Sequence, residues 1–126
     1  MEQECATLAE RGQIRIAFNS NSDRKVLPED VSLSLYRVAQ ECLRNVVRHS
    51  QAERALVTLE DTAEGIRLCI QDNGIGFEPD EIRSRKSLGL ISMNERVRLV
   101  SGTLLVDSSK GRGTRVEVLV PLAGAV

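Results

Sequence analysis

The sequence contains an apolar run, typical of a β-strand, that leads into an acidic turn with two glycines. The apolar run 66–70 leads directly into residues 72–77, which read Asp-Asn-Gly-Ile-Gly-Phe. Glycine lacks a Cβ, so the backbone can adopt a positive φ there and other groups can approach it closely. The segment is not a dinucleotide-binding fingerprint, because Pro79 stands where that pattern needs its third glycine. Taken alone, it indicates a tight turn.

A polar stripe borders the apolar arc of the long helix predicted between Pro28 and about His49. Glu41, Asn45 and Arg48 are four and three residues apart, so they lie on one side of that helix. The apolar positions fall on another arc, the predicted core side: Val31, Leu35, Val38, Ala39, Cys42, Leu43 and Val46. Because the stripe borders this arc instead of opposing it, the stripe indicates a site. An ordinary solvated face is the alternative.

Composition excludes several classes of protein. The net charge of −1, with one tyrosine, two phenylalanines and no tryptophan, argues against nucleic-acid binding. No apolar run is long enough to span a membrane, and the acidic N-terminus lacks the basic start of a signal peptide. Cys5, Cys42 and Cys69 have no CxxC spacing, which argues against zinc and is typical of a reducing cytosol. We therefore expect a cytoplasmic chain without membrane contact, with Cys42 and Cys69 as core residues.

The remaining patterns predict the element order α-β-α-β-β-α-β-β. The helices are expected at 3–11, from Pro28 to about His49 and at 90–100, and the strands at 14–18, 56–60, 66–70, 104–106 and 116–120. Residues 19–23 read as a loop and 78–88 as a mobile polar segment. Short turns between neighbouring strands imply a mostly antiparallel sheet with helices on one face.

Three glycine-bearing segments predict contact with phosphate. They are 74–76, 87–90 and 111–114, and each adjoins a regular element. Backbone N–H groups at such turns and at helix starts can bind phosphate oxygens. A P-loop sequence is absent, and a single histidine gives little support to a metal cluster or a Ser-His-Asp triad.

Four motifs in order resemble the GHKL ATPase superfamily, which includes gyrase, Hsp90, MutL and histidine kinases. They are Glu41-x-x-x-Asn45-x-x-Arg48-His49, Asp72-x-Gly74-x-Gly76-Phe77, Leu88-Gly89-Leu90 and Gly111-x-Gly113-Thr114. Their spacing, together with Met93-x-Glu95-Arg96-Val97, is most similar to the ATP-binding catalytic domain of NarL-type sensor histidine kinases, over about 13–122. The resemblance implies a two-layer α/β sandwich of the Bergerat type, with a mixed, mostly antiparallel sheet and helices on one face. Residues 1–126 would be one such domain, without a dimerisation or phosphoacceptor domain.

The resemblance implies roles at the base end of an ATP site. Asp72 would accept a hydrogen bond from the adenine amino group, which selects against guanine because guanine presents an oxygen there. Thr114 would hydrogen-bond near Asp72 or the adenine, often through water. Gly74 and Gly76 would let the backbone approach the nucleotide. The lid over the phosphates would consist of Ser87, Leu88, Gly89 and Leu90.

The resemblance also implies roles at the phosphate end. Asn45 would ligate Mg²⁺ through its amide oxygen. Arg48 and His49 would face phosphate oxygens, although His49 equally suits a cation at a helix C-terminus. Glu41 is either the general base for water, as in hydrolysing members of the superfamily, or a group that orients Mg²⁺ or the acceptor, as in histidine kinases.

Two departures from the family pattern affect the implied function. Ser87 replaces the first glycine of a Gly-x-Gly pair, which makes the lid less pliable. The only histidine is His49, so the phosphoacceptor must lie elsewhere. The resemblance thus implies a Mg-ATP-binding domain that transfers the γ-phosphoryl to a histidine on a separate dimerisation domain and, indirectly, to a response regulator. An anti-sigma-type serine kinase, a weak ATPase and a nucleotide-gated interaction module are the alternatives.

Overall fold

The described part of the chain contains five strands and two helices. The computed structural model describes residues 14–21, 27–47, 51–76 and 90–122. The elements are β1 (Arg15–Asn21), α1 (Glu29–Asn45), β2 (Arg54–Asp61), β3 (Gly65–Asp72), α2 (Leu90–Leu99), β4 (Thr103–Ser109) and β5 (Gly113–Pro121). The predicted helix at 3–11 and the polar segment 78–88 lie outside the described residues. Neither described helix is long and apolar enough to cross a membrane.

The five strands form one mixed sheet in the order β1-β2-β3-β5-β4. The β1–β2 pair is parallel, and the other three pairs are antiparallel. A parallel pair needs a crossover connection, which here contains α1. The β2–β3 hairpin closes where Thr62 and Gly65 exchange hydrogen bonds of 2.9 and 3.0 Å. The predicted mixed, mostly antiparallel sheet is confirmed.

The strand register places the core on one face of the sheet. Ile70 on β3 lies opposite Val57 on β2 and Val116 on β5, and all three are buried. Leu68 lies opposite Val118, also buried, two positions along. Both helices pack on this face, since α1 contacts β3 and β5 and α2 contacts α1 and β4. The predicted placement of helices on one face is therefore confirmed.

Both helices begin where their sequences predict, and α2 ends one residue before its predicted end, whereas α1 ends at Asn45 and its predicted end at about His49 lies outside the described residues. Helix α1 begins after Pro28, and its first turn carries Glu29 and Asp30, where the helix dipole favours acids. All seven residues of its predicted core arc are buried. Helix α2 is followed by Ser101 with φ of 61°, and the Gly102 N–H then donates to the Val97 carbonyl at 2.9 Å. The left-handed residue is thus the serine before the predicted glycine stop.

Two predictions about single elements are wrong. Residues 19–21 belong to β1 and not to a loop, because parallel pairing with β2 continues to Asn21. Cys69 is half-buried on the outer face of the sheet and not in the core, because odd-numbered residues of β3 point away from the helices. Its Sγ accepts a hydrogen bond of 3.4 Å from the Arg115 Nε. Cys42 lies in the core as predicted.

Candidate functional site

A polar row crosses the sheet at the end where β3 terminates. Asp72 lies opposite Ala55 on β2, and Ser108 on β4 lies opposite Thr114 on β5. Since Gln71 pairs with Arg115, the next position places Asp72 beside Thr114 on the inner face. Asp72 (7% exposed) and Thr114 (9%) are the buried polar residues of the described ranges. The sheet therefore brings together the two residues predicted at the base end.

Backbone N–H groups hold the Asp72 carboxylate. The Gly74 N–H donates to Asp72 Oδ1 at 2.8 Å, and the Thr114 N–H donates to the same carboxylate. Burial raises the pKa of Asp72 above its ordinary value, and these two hydrogen bonds oppose that rise without cancelling it. A carboxylate has about four acceptor positions, so two backbone donors leave capacity for a ligand N–H.

The two glycine turns are pressed against each other, backbone to backbone. Gly76 and Gly113 have φ of 69° and 83°. A Cβ on Gly76 would overlap the carbonyl of Ser109, and one on Gly113 would overlap the carbonyl of Asp72. The turns are also joined by the Gly111 N–H, which donates to the Ile75 carbonyl at 2.6 Å. Glycine is thus required here for contact between the turns, and the approach of a nucleotide to Gly74 and Gly76 stays a prediction.

Two members of the predicted polar stripe, Glu41 and Asn45, lie within the described helix α1. Glu41 and Asn45 are half-buried, beside the fully buried Cys42. Burial, together with the smaller effects of the negative charges of Glu41 and then Asp72, raises the pKa of the Cys42 thiol to about 12. Both carboxylates therefore act on one thiol from α1 and from the sheet. The Cys42 Sγ donates to the Met93 Sδ at 3.5 Å, which ties the helix carrying the stripe to α2.

The lid and the end of the stripe are described only at Leu90. This residue is buried and begins α2. The other predicted residues of these parts lie outside the described residues, and their roles stay predictions: Arg48, His49, Ser87, Leu88 and Gly89. The described ranges contain no cluster of three or more His, Cys, Asp or Glu side chains that could hold a metal. A Mg²⁺ at Asn45 would instead take most of its ligands from phosphates and water.

Ser108 is a residue of this site that the sequence motifs do not contain. Its Oγ donates to the Gly113 carbonyl at 3.0 Å and lies 2.8 Å from Thr114 Oγ1. The available signal was alternation, because Leu104, Val106 and Ser108 are two apart and share a face of β4. Because Ser108 is followed by a second serine, the sequence does not show which of the two faces the inner side of the sheet. The β4–β5 register identifies Ser108.

A wide cavity of about 750 Å³ lies along the edge strand β1. Its lining includes Asp72, Asn73 and the exposed Arg15 and Arg54, but neither the stripe of α1 nor Thr114. The Asn73 Oδ1 accepts hydrogen bonds from the backbone N–H groups of residues 53 and 54. Of the predicted site residues, this cavity therefore contains Asp72 but not Glu41, Asn45 or Thr114.

Comparison with known proteins identifies relatives over nearly the whole chain. Residues 30–124 match the family described as histidine kinase-, DNA gyrase B- and HSP90-like ATPase. The chain is 38% identical over 117 residues to the signal transduction histidine-protein kinase/phosphatase DegS of Bacillus subtilis, covering 89% of this chain and 30% of DegS. It is 43% identical over 88 residues to the sensor histidine kinase LiaS of the same organism, covering 70% of this chain and 24% of LiaS.

A solved structure shares the fold at low sequence identity. The ATP-binding domain of PrrB from Mycobacterium tuberculosis superposes with a TM-score of 0.70 at 22% identity, over 94% of this chain and 88% of that one. This similarity confirms the predicted architecture. The chain spans less than a third of the length of DegS or LiaS, so both relatives are much longer than this chain.

Proposed function

The chain belongs to the family of histidine kinase-, DNA gyrase B- and HSP90-like ATPases, and on that premise we propose that it is the Mg-ATP-binding catalytic domain of a two-component sensor histidine kinase. It would transfer the γ-phosphoryl of ATP to a histidine on a separate dimerisation domain, from which the group passes to a response regulator. The observation that carries the proposal is the buried Asp72 carboxylate, held by the backbone N–H of Gly74 in a row with Thr114.

The base end of the proposed site selects adenine by its hydrogen-bond pattern. An ionised Asp72 accepts hydrogen bonds and cannot donate one. The amino group of adenine supplies N–H donors to the Asp72 carboxylate. The corresponding oxygen of guanine has only lone pairs, which would face the buried negative charge of Asp72 without a hydrogen bond. Leaving a buried polar group unpaired costs about 1–3 kcal/mol, and more for a charged group. The site therefore prefers ATP to GTP.

The phosphate end works by position and charge. Asn45 would hold Mg²⁺, which supplies positive charge to the β- and γ-phosphates when it is bound. Glu41, one helical turn before Asn45, would orient the metal or the incoming histidine. Arg48 and His49 would contact phosphate oxygens, and residues 87–90 would cover them. Catalysis would then come mostly from alignment and charge neutralisation.

The acceptor histidine belongs to another domain in this proposal. The chain has one histidine, His49, which lies in the motif proposed to contact phosphate. The relatives DegS and LiaS, of which the chain covers 30% and 24%, are named as histidine kinases. A dimerisation domain in the rest of such a protein is the proposed partner.

Two measurements test this function. Calorimetric titration with ATP and GTP, with and without Mg²⁺, should show ATP bound about 10–100-fold more tightly than GTP, with affinity that depends on Mg²⁺. Incubation with labelled ATP and the part of LiaS or DegS that this chain does not cover should then label a histidine of that part. Binding without transfer to any supplied acceptor would favour a nucleotide-gated module. Equal affinity for ATP and GTP would contradict the assignment of Asp72.

A further inference from the structure

We propose that Ser108 is a positioning residue that fixes the Thr114 hydroxyl as a hydrogen-bond acceptor beside Asp72, so that the proposed nucleotide site selects a ring edge carrying an amino group. The proposal rests on the proposed nucleotide site and adds a determinant of base specificity to it. Ser108 lies outside the four motifs and does not itself have to touch the ligand. It acts through Thr114.

The contact between the two hydroxyl groups is direct. Ser108 and Thr114 are register partners on β4 and β5, and their side-chain oxygens are 2.8 Å apart. The same Ser108 Oγ lies 3.0 Å from the Gly113 carbonyl and donates to it. Ser108 is half-buried and Thr114 is buried, so bulk water competes little for these hydrogen bonds.

A count of hydrogens sets the direction of the contact. A serine or threonine hydroxyl carries one hydrogen, and a backbone carbonyl can only accept. When the Ser108 hydrogen points at the Gly113 carbonyl, the hydrogen in the 2.8 Å contact must come from Thr114. The Thr114 oxygen then has only lone pairs left to present to a ligand. Thr114 therefore becomes an acceptor in the proposed nucleotide site.

The neighbouring side chain, Asp72, is also an acceptor. The Asp72 carboxylate receives the Gly74 N–H at 2.8 Å, and the β3–β5 register places Thr114 directly beside Asp72. Two acceptors side by side match an exocyclic amino group, or a water that donates to both. A ring carbonyl at the same place would face lone pairs from both sides, an unpaired arrangement that hydrogen-bonding sites reject strongly.

The test compares ADP, whose ring carries an exocyclic amino group, with IDP, whose ring carries an oxygen at the same position. We expect the wild-type chain to bind ADP more tightly. In Ser108→Ala the Thr114 hydroxyl can turn and donate to the IDP oxygen, so the ratio of the two dissociation constants should fall by about tenfold, the worth of one hydrogen bond. A purely structural loss would weaken both nucleotides equally and leave the ratio unchanged.

Matched variants separate positioning from folding. Ser109→Ala removes the adjacent hydroxyl, at an exposed position, and should keep the wild-type ratio. Ser108→Thr retains a hydroxyl and should keep it too. Thr114→Val removes the group through which Ser108 acts, so in that background Ser108→Ala should change the ratio no further. Thermal unfolding followed by circular dichroism verifies that each variant is folded.

Three results would overturn the inference. An unchanged ratio in folded Ser108→Ala shows that Ser108 only supports the Gly113 turn. An equal further drop in the Thr114→Val background shows that Ser108 does not act through Thr114. Absence of ADP binding by the wild type overturns this inference together with the proposed function, whereas tight ADP binding with an unchanged ratio overturns the inference alone.

Discussion

The two halves of the candidate site are built in different ways. The sheet half consists of Asp72, Gly74, Gly76, Gly113 and Thr114, and backbone atoms hold it together. Gly76 and Gly113 leave no room for a Cβ, and the Asp72 carboxylate accepts backbone N–H groups. The helix half consists of Glu41 and Asn45, half-buried side chains on α1. It is positioned by packing beneath it, including the Cys42–Met93 contact at 3.5 Å.

This difference indicates which half is organised before a ligand binds. Backbone contacts between turns cannot relax without moving two strands, so the sheet half has its geometry in the ligand-free protein. Long side chains on a helix keep rotamer freedom that a ligand must remove. We therefore expect substitutions in the sheet half to affect folding or base selection, and substitutions in the helix half to affect mainly metal and phosphate.

The largest expected effect is loss of stability in Gly113→Ala. The new Cβ would overlap the Asp72 carbonyl at a residue with φ of 83°. We expect the free energy of unfolding to fall by about 3 kcal/mol, measured by urea denaturation. The control is Gly111→Ala, which has the same φ but no atom within 4 Å of the new Cβ and should cost about 1 kcal/mol. Equal losses in the two variants would contradict the contact between the turns.

The second effect is loss of base recognition in Asp72→Asn. The amide retains an acceptor for the Gly74 N–H but removes the charge that the adenine amino group would meet. We expect ADP affinity to fall by about 10–100-fold in calorimetry, since hydrogen bonds to charged groups contribute about 1.5–3 kcal/mol. Asp107→Asn, an exposed position on β4, is the control and should bind as the wild type does. Unchanged affinity in Asp72→Asn would remove the sheet half from the site.

A smaller effect, confined to the helix half, is expected in Asn45→Ala. Removal of the amide oxygen should abolish most of the gain in ATP affinity that Mg²⁺ provides and leave the preference for ADP over IDP unchanged. We expect about a tenfold loss of affinity in Mg²⁺ and little loss in EDTA, measured by calorimetry. Gln40→Ala, off the stripe by about 100° of helical rotation, is the control. A changed base preference would show that the two halves are coupled.

The sheet half should also respond to pH in two opposite ways. The folded Asp72 has a pKa above the ordinary value of 3.8, so between these values the folded chain holds a proton that the unfolded chain has lost. The stability of the ligand-free protein therefore falls as pH rises through this window. Nucleotide affinity rises through the same window, because the amino group needs the ionised carboxylate. Urea unfolding and ADP titration across acidic pH should show both trends, and Asp72→Asn should lose its contribution to each.

The smallest effect is expected in Cys42→Ala beneath the stripe. Loss of the thiol and of its contact with Met93 should lower the free energy of unfolding by about 1 kcal/mol and reduce Mg-dependent affinity slightly. Cys69→Ala on the outer face removes a half-buried thiol and should cost less. A larger loss of stability in Cys69→Ala than in Cys42→Ala would contradict the placement of Cys42 in the core and Cys69 on the outer face.

Periodicity and motif order predicted most elements because these are local signals. The apolar arc of α1 follows from helical spacing, and all seven of its residues are buried. The hairpin of β2 and β3 follows from two apolar runs separated by a short turn. The last residues of β1 were missed, because only pairing with β2, more than thirty residues later in the chain, makes the polar segment at 19–21 a strand.

Spacing along the chain was enough to predict the family and the order of the described elements. Which side chains meet depends on the three-dimensional arrangement of the strands and helices. This arrangement placed Ser108 rather than Ser109 against Thr114, turned Cys69 to the outer face, and pressed Gly113 against the Asp72 carbonyl. The physical reason is strand register, because a shift of one residue moves every side chain of a strand to the opposite face, and contacts between distant segments select the register.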